Sequence, residues 1–133
     1  MGQKTFRPLT DTEKGALYKM ISVVSSAGEI LKKQIESSIV KEIDDLGSLE
    51  FSVSTNEKYS DVTGPFITAQ QKDVDTVPMV GPYINFLLFL REGTICELEV
   101  YKDDGSQIMS ACDPDKFILT WGLPPKKRSS REV

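Results

Sequence analysis

The chain has no histidine and only two cysteines, Cys96 and Cys112, among its 133 residues. Without imidazole it lacks the side chain that most often acts as acid or base near neutral pH and most often binds metals. Nucleophilic triads that use histidine are excluded, and two cysteines sixteen residues apart cannot form a zinc site alone. We therefore expect a protein that is not an enzyme, with no catalytic residues, no metal and no cofactor.

Long hydrophobic runs are also absent. The longest, from Tyr83 to Leu90, covers eight residues and includes Asn85, whereas a membrane-spanning helix needs roughly 20. The segment from Met1 to Phe6 has no apolar region typical of a signal peptide. Two cysteines are too few for a secreted disulfide scaffold. These absences predict a cytoplasmic protein with reduced thiols and no membrane partner.

Acidic and basic residues are unevenly distributed along the chain, which carries a net charge of −4. Residues 126–133 hold four basic side chains and one acidic side chain, a net charge of +3 that leaves −7 for residues 1–125. An acidic body repels phosphate backbones, so no nucleic-acid partner is expected. It attracts a basic protein, although a negative surface can also serve solubility alone.

Hydrophobic spacing predicts two helices and then strands. Thr10 to Glu13 has the pattern of a capping box that begins a helix, and a shorter helix is expected at about residues 29–37. Beyond them the period changes to two, which predicts strands. The expected strands are 39–43, 49–54, 66–72, 83–90 and 95–102. The predicted fold class is α+β, an N-terminal helical pair followed by an antiparallel meander of about five strands, with the helices on one face.

The C-terminal part completes the predicted domain. Asp113 and Pro114 are expected to begin a short helical turn, and Phe117 and Trp121 to pack back onto the body. The predicted organisation is a single α+β domain over residues 1–124 and a disordered basic tail over residues 125–133.

The pairing of the last two predicted strands determines which side chains reach the surface. Leu90 opposite Ile95 would place Leu88 opposite Glu97. This register predicts a core face formed by Asn85, Leu87, Phe89, Cys96, Leu98 and Val100. The other face would contain Ile84, Phe86, Leu88, Glu97, Glu99 and Tyr101. That mixture is too apolar for solvent and too charged for a core, so the C-terminal segment or a partner is expected to cover it.

Two segments carry a resemblance to a known family. They are Arg7-Pro8-Leu9-Thr10 followed by Glu13-Lys14, and Ile43-Asp44-Asp45 followed by Gly47-Ser48-Leu49 and Phe51. Over about residues 7–102 the chain resembles an uncharacterised family of small bacterial domains of unknown function, which has no established catalytic residues to carry over. Such proteins resemble immunity proteins, the cytosolic antidotes of contact-dependent growth inhibition and polymorphic toxin systems.

Three functions are open at this point. The first is a non-enzymatic immunity protein that neutralises a toxin, expected to be a basic nuclease domain, by blocking its active cleft. The candidate residues for charge are Asp44, Asp45, Glu97, Glu99, Asp103 and Asp104, and the candidate anchors are Tyr59, Tyr83, Phe86 and Tyr101. The second is a self-associating domain, such as a homodimer. The third is a metal-dependent hydrolase using Glu97 and Glu99, which is disfavoured because Lys102 would point to the other face of a regular strand.

Overall fold

A computed structural model describes residues 5–24, 28–73 and 82–121, with only the backbone of Trp121. These residues form two helices, α1 (Asp11–Ile21) and α2 (Gly28–Glu36), a 3-10 turn (Pro114–Lys116) and seven strands. The strands are β1 (Arg7–Pro8), β2 (Ser38–Glu42), β3 (Leu49–Val53), β4 (Gly64–Lys72), β5 (Tyr83–Arg91), β6 (Thr94–Lys102) and β7 (Ile118–Trp121). The predicted α+β class is confirmed.

Helix α1 begins at the predicted capping box. The Thr10 hydroxyl accepts from the Glu13 backbone N–H at 3.1 Å, and the Glu13 carboxylate accepts from the Thr10 N–H at 2.9 Å. The Arg7 guanidinium donates to both Glu13 carboxylate oxygens at 2.9 Å and to Glu42 at 3.0 Å. This cluster joins β1, α1 and β2, because its three side chains come from those elements or adjoin them.

The sheet is antiparallel throughout, but its strand order is β1-β2-β3-β6-β5-β4-β7. Strands β4, β5 and β6 form a meander. The neighbour of β3 in the sheet is β6, whereas in a sequential meander it would be β4. That arrangement is a Greek key, not the sequential meander predicted. The two added strands lie at the edges, where β1 is too short to give an alternating pattern and β7 follows the 3-10 turn.

The helices cover one face of the sheet, as predicted. Leu17 and Met20 of α1 and Leu31 and Ile35 of α2 are almost fully buried. They belong to one hydrophobic cluster with side chains of β5 and β6. Those side chains are Ile84, Phe86, Leu88, Leu90, Ile95, Leu98 and Val100.

A β-bulge makes the predicted faces of β5 wrong. Leu90 lies opposite Ile95 as predicted, but the register shifts between Phe89 and Leu90, so that Leu88 lies opposite Leu98. The extra residue, Cys96, lets Ile95 and Leu98 both point into the core, which a regular strand does not allow at a separation of three. As a result the core side of β5 carries Ile84, Phe86, Leu88 and Leu90. Leu87 and Phe89 lie on the other face.

The C-terminal part adds the predicted turn and an unpredicted edge strand. The Asp113 carboxylate accepts from the Asp115 N–H at 3.2 Å, and Pro114 begins the turn. Phe117 packs on Phe86 with ring centroids 4.9 Å apart, and β7 pairs with β4. The Trp121 side chain and the predicted tail at residues 125–133 lie outside the described residues. No helix in the described part of the chain is long and apolar enough to cross a membrane.

Candidate functional site

The face of the sheet opposite the helices is the candidate site, and we call it the open face. Its centre lies on β5 and β6, where Leu87 is opposite Glu99 and Phe89 is opposite Glu97. Directly opposed residues of antiparallel strands share a face, so Glu50, opposite Glu97, also belongs to it. Exposed hydrophobic side chains extend the face on three strands: Ile39 on β2 (44%), Tyr101 on β6 (40%) and Ile118 on β7 (56%).

Carboxylates are concentrated where β3 meets β6. Glu50 and Glu97 are direct cross-strand partners, and Glu99 follows two residues along the same face. Lys41 of β2 approaches the Glu50 carboxylate at 3.7 Å. Neither Glu97 nor Glu99 has an ion pair within residues 5–24, 28–73 and 82–121. Like charges directly opposite each other destabilise a sheet, so the pairing of Glu50 with Glu97 does not itself stabilise the fold.

Apolar side chains lie directly beside these carboxylates. Leu87 and Phe89 of β5 are only half-buried, although both are large hydrophobic residues on a central strand. Cys96 at the bulge approaches the Phe89 carbonyl oxygen, with its Sγ 3.5 Å away. Burial raises the pKa of the Cys96 thiol, which favours the neutral form. The open face therefore combines a small apolar centre with two carboxylates that have no ion pair among the described residues, although Arg91 lines the same pocket as Glu97.

The open face brings together five of the ten predicted binding residues. Glu97, Glu99, Tyr101 and Asp103 follow one another at alternate positions along and just beyond β6. The fifth, Tyr83, begins β5 beside Asp103. The Asp103 carboxylate accepts from the Tyr83 N–H at 3.2 Å and from the Asn85 side-chain amide at 2.6 Å. Asp103 therefore fixes the beginning of β5 against the end of β6.

The remaining predicted aspartates lie in turns. Asp44, in the turn between β2 and β3 with Asp45, accepts from the N–H groups of Leu46 at 2.8 Å and Ser48 at 3.2 Å. Burial alone would raise the pKa of Asp44, but these hydrogen bonds outweigh it and lower the pKa. Asp104 accepts from the N–H and hydroxyl of Ser106, which lowers its pKa. Asp44 and Asp104 thus have a local structural role.

Two of the predicted anchors are elsewhere in the fold. Phe86 is 5% exposed on the helix side of the sheet, under Phe117, so its assignment as a surface anchor is corrected: the bulge reverses the predicted face. Tyr59 packs on Phe66 with ring centroids 5.3 Å apart, in the loop between β3 and β4.

Sequence reasoning missed Glu50, Leu87 and Phe89 as members of the site. In the segment from Tyr83 to Leu90 every residue except Asn85 is apolar, so the sequence does not show which face is buried. A bulge has no clear sequence signal of its own, and Glu50 joins the site only because β3 pairs with β6.

The position of Lys102 bears on the alternative of a metal-dependent hydrolase. Lys102, considered as a partner for the glutamates in a hydrolase, lies on the helix side, where its ammonium contacts the buried Asp73 carboxylate at 2.8 Å. Within the described ranges no group of three or more histidine, cysteine or acidic residues is placed to hold a metal ion. The face offers charge and apolar contact.

The residues that carried the family resemblance have structural roles. Arg7, Thr10 and Glu13 form the junction at the start of α1 described above. Ser48 accepts from the Val100 N–H at 2.9 Å and donates to the Val100 carbonyl oxygen at 3.3 Å, which extends the contact between β3 and β6.

Comparison with known proteins identifies one family. A family model with the description "Domain of unknown function (DUF6984)" matches residues 6–112. This range contains both motifs and six of the seven described strands, and it ends before the 3-10 turn and β7. No curated protein and no solved structure matches the chain.

Proposed function

The chain belongs to the family Domain of unknown function (DUF6984), and for this member we propose a non-enzymatic binding function. In this proposal it is a cytoplasmic immunity protein whose open face binds a toxin domain and blocks its active cleft. The observation that carries the proposal is the juxtaposition of Leu87 and Phe89 with Glu97 and Glu99 on a sheet face that no described helix or strand covers.

The apolar and the charged side chains of this arrangement would contribute differently to a protein interface. Half-buried Leu87 and Phe89 supply apolar area, and contacts that become fully desolvated account for most of the lifetime of a complex. Glu97 and Glu99 supply charge, which speeds encounter and selects partners of opposite sign. Tyr101, 40% exposed beside them, is the aromatic side chain best placed to become an anchor.

The charge indicates a basic partner. Residues 1–125 carry a net charge of −7, which steers basic proteins towards the molecule. A cation from the partner between Glu50 and Glu97 would also remove the repulsion of that pair. Nuclease clefts are basic because they bind phosphates, so a nuclease domain is the toxin that fits this face best.

Self-association through the open face is the alternative. A two-fold dimer of this sheet face would bring the Glu97 and Glu99 carboxylates of one copy near those of the other, at a cost in repulsion. A metal-dependent hydrolase is less favoured still, since Lys102 is paired on the helix side of the sheet.

The proposal is tested with the product of the gene next to the one that encodes this chain, since immunity genes adjoin their toxin genes. The two proteins are mixed, and association is measured at several salt concentrations together with any nuclease activity of the neighbour. We expect binding, loss of that activity, and a clear slowing of association in the E97K/E99K variant.

The matched control is D11K/E29K, which makes the same charge change at exposed positions on the helices. It should reduce association much less than E97K/E99K, because its changes lie on the far side of the sheet. Equal effects of the two variants would contradict the open face as the binding surface. Failure of the neighbour to bind, with chain dimers on sedimentation, would favour self-association.

A further inference from the structure

We propose that the basic C-terminal segment of this chain is an intramolecular ligand of the open face, docking on Glu97 and Glu99. The basic residues of this segment are Lys126, Lys127, Arg128 and Arg131. The occupant is thus a named part of the same molecule. The proposal depends on where β7 ends, on how many residues follow it, and on the complementary charges.

Strand β7 directs the chain towards the two glutamates. Thr120 lies opposite Thr68 on β4, Thr68 lies opposite Leu87 on β5, and Leu87 lies opposite Glu99 on β6. These four residues form one row across the open face. Within its described residues, β7 runs in the direction that leads from this row to the neighbouring row, in which Phe89 is opposite Glu97.

The length of the remaining chain matches the span to be crossed. Three strand spacings of about 4.8 Å separate β7 from β6, which makes about 14 Å. An extended chain covers up to about 3.3–3.6 Å per residue, so Lys126, five residues after Trp121, can reach about 17 Å. Pro124 and Pro125 favour an extended backbone in between.

Charge complementarity selects this target on the face. Lys41 already approaches Glu50, whereas Glu97 and Glu99 have no ion pair within the described residues. Residues 126–133 carry +3 against a body at −7. Attachment to the same chain gives these cations a high effective concentration at the face. The docking requires only that the charges approach, not one fixed backbone conformation.

The docked segment would act as an internal competitor. This consequence rests on the proposed function, since it requires a basic partner for the same face. Such a partner would have to displace the segment, so the segment would weaken binding of poorly matched basic proteins and leave a strongly complementary partner able to bind. The segment would therefore increase specificity at the expense of affinity.

The docking is tested on the intact chain without any partner. A carbodiimide couples lysine amines to nearby carboxylates, and mass spectrometry of the monomer fraction then identifies the coupled pairs. We expect Lys126 or Lys127 to be coupled to Glu97 or Glu99 in low salt, with the yield falling at 0.5 M salt because the attraction is screened. Coupling spread equally over acidic residues of both faces, or confined to dimers, would overturn the proposal.

A charge variant gives a second readout by amide NMR. Neutralising the segment in K126Q/K127Q/R128Q/R131Q should shift the amide signals of Glu97 and Glu99 at low salt and leave them unchanged at high salt. The matched control K14Q/K19Q/K32Q/K116Q removes the same charge from described positions outside the sheet and should leave both signals in place. Equal shifts in the two variants would overturn the docking.

Competition is tested with a deca-arginine peptide as the basic probe. We expect the segment variant to bind the peptide roughly three- to tenfold more tightly than the control variant of equal net charge, and E97K/E99K to abolish the difference. Equal affinities of the segment variant and the control variant for the peptide would contradict the proposal that the segment competes for the open face. If the couplings form but the chain does not bind the product of the neighbouring gene, the docking stands and the proposed immunity function fails.

Discussion

The side-chain amide of Gln34, fully buried in α2, donates to the carbonyl oxygen of Gly93 at the tip of the β5–β6 hairpin, with N and O 2.9 Å apart. The same amide also donates to the Glu57 carbonyl oxygen at 2.9 Å, and its oxygen accepts from the Ile95 N–H at 2.9 Å. One side chain thus connects the helix layer, the loop before β4 and the hairpin whose strands form the open face.

Replacing Gln34 with leucine should reduce the free energy of unfolding by about 1–3 kcal/mol. The substitution leaves the Ile95 N–H without its acceptor in the interior, and a buried unsatisfied group costs about 1–3 kcal/mol. The Gly93 carbonyl oxygen keeps the hydrogen bond that it accepts from the Tyr59 N–H at 2.8 Å. Urea unfolding measures the loss. The control Q107L makes the same chemical change at an exposed position and should alter stability by less than about 0.5 kcal/mol. Similar losses in the two variants would contradict this role.

The buried ion pair beneath the C-terminal loop gives a second prediction. Lys102 contacts Asp73 at 2.8 Å, and their side chains are 5% and 0% exposed. K102M should destabilise the protein by about 3–5 kcal/mol, because it leaves a carboxylate buried without its cation. The double variant D73N/K102M should recover part of that loss, as a double-mutant cycle by urea unfolding would measure.

The matched control for the ion pair is Lys33 with Glu57, whose side chains are 55% and 50% exposed at 3.1 Å. K33M should cost less than about 1 kcal/mol, because solvent screens an exposed pair. A cost for K102M no larger than that of K33M would show that the Asp73 carboxylate finds other compensation.

Local signals in the sequence were enough to predict the two helices and the five longer strands, but not β1, β7 or the pairing of the strands. The capping box of Thr10 and Glu13 and the turn at Asp113 depend on neighbouring residues alone, and both were predicted correctly. The pairing of β3 with β6 joins Leu49 to Leu98, residues far apart in the chain. No local pattern specifies such a contact, so the Greek-key order was missed.

The residues that β6 contributes to the candidate site could be predicted from local patterns, whereas those that β5 contributes could not. Glu97, Glu99 and Tyr101 follow from alternation within β6, which the sequence displays. Leu87 and Phe89 were assigned to the wrong face because a single extra residue in a bulge reverses the phase of one strand against its neighbour. A face that mixes apolar and acidic side chains is present, but its apolar members are Leu87 and Phe89 in place of the predicted Ile84, Phe86 and Leu88.

The contact between Arg7 and Glu13 predicts an acid-dependent part of the stability. Hydrogen bonds from the Arg7 guanidinium lower the pKa of Glu13 below its ordinary value of 4.5. A carboxylate with a lowered folded-state pKa stabilises the fold above its unfolded pKa, and this contribution is lost as the pH falls through the folded value. The stabilisation by Glu13 should therefore be complete above about pH 5 and decline below 4.5.

The variant E13Q isolates this contribution, since glutamine can still accept from the Thr10 N–H. E13Q should be less stable than the natural chain by about 1 kcal/mol at pH 7, a value reduced by partial exposure, and the difference should shrink towards pH 3. Urea unfolding at several pH values measures it, with E29Q at an exposed helix position as control. A difference independent of pH would show that the charge of Glu13 is not involved.

The turn between β5 and β6 gives the last prediction, at Gly93. Its φ is +81°, and an added Cβ would clash with the carbonyl oxygens of Tyr59 and Ser60. G93A should therefore cost about 3 kcal/mol or more, the sum of left-handed strain of about 1–2 kcal/mol and displacement of the loop before β4. Gly105 is the matched control, because its φ is +75° and nothing lies within 4 Å of an added Cβ. G105A should show only the effect of backbone strain. Thermal unfolding of the two variants therefore separates the strain from the steric clash. Equal losses of stability would mean that the loop before β4 can move away from the added methyl group without cost.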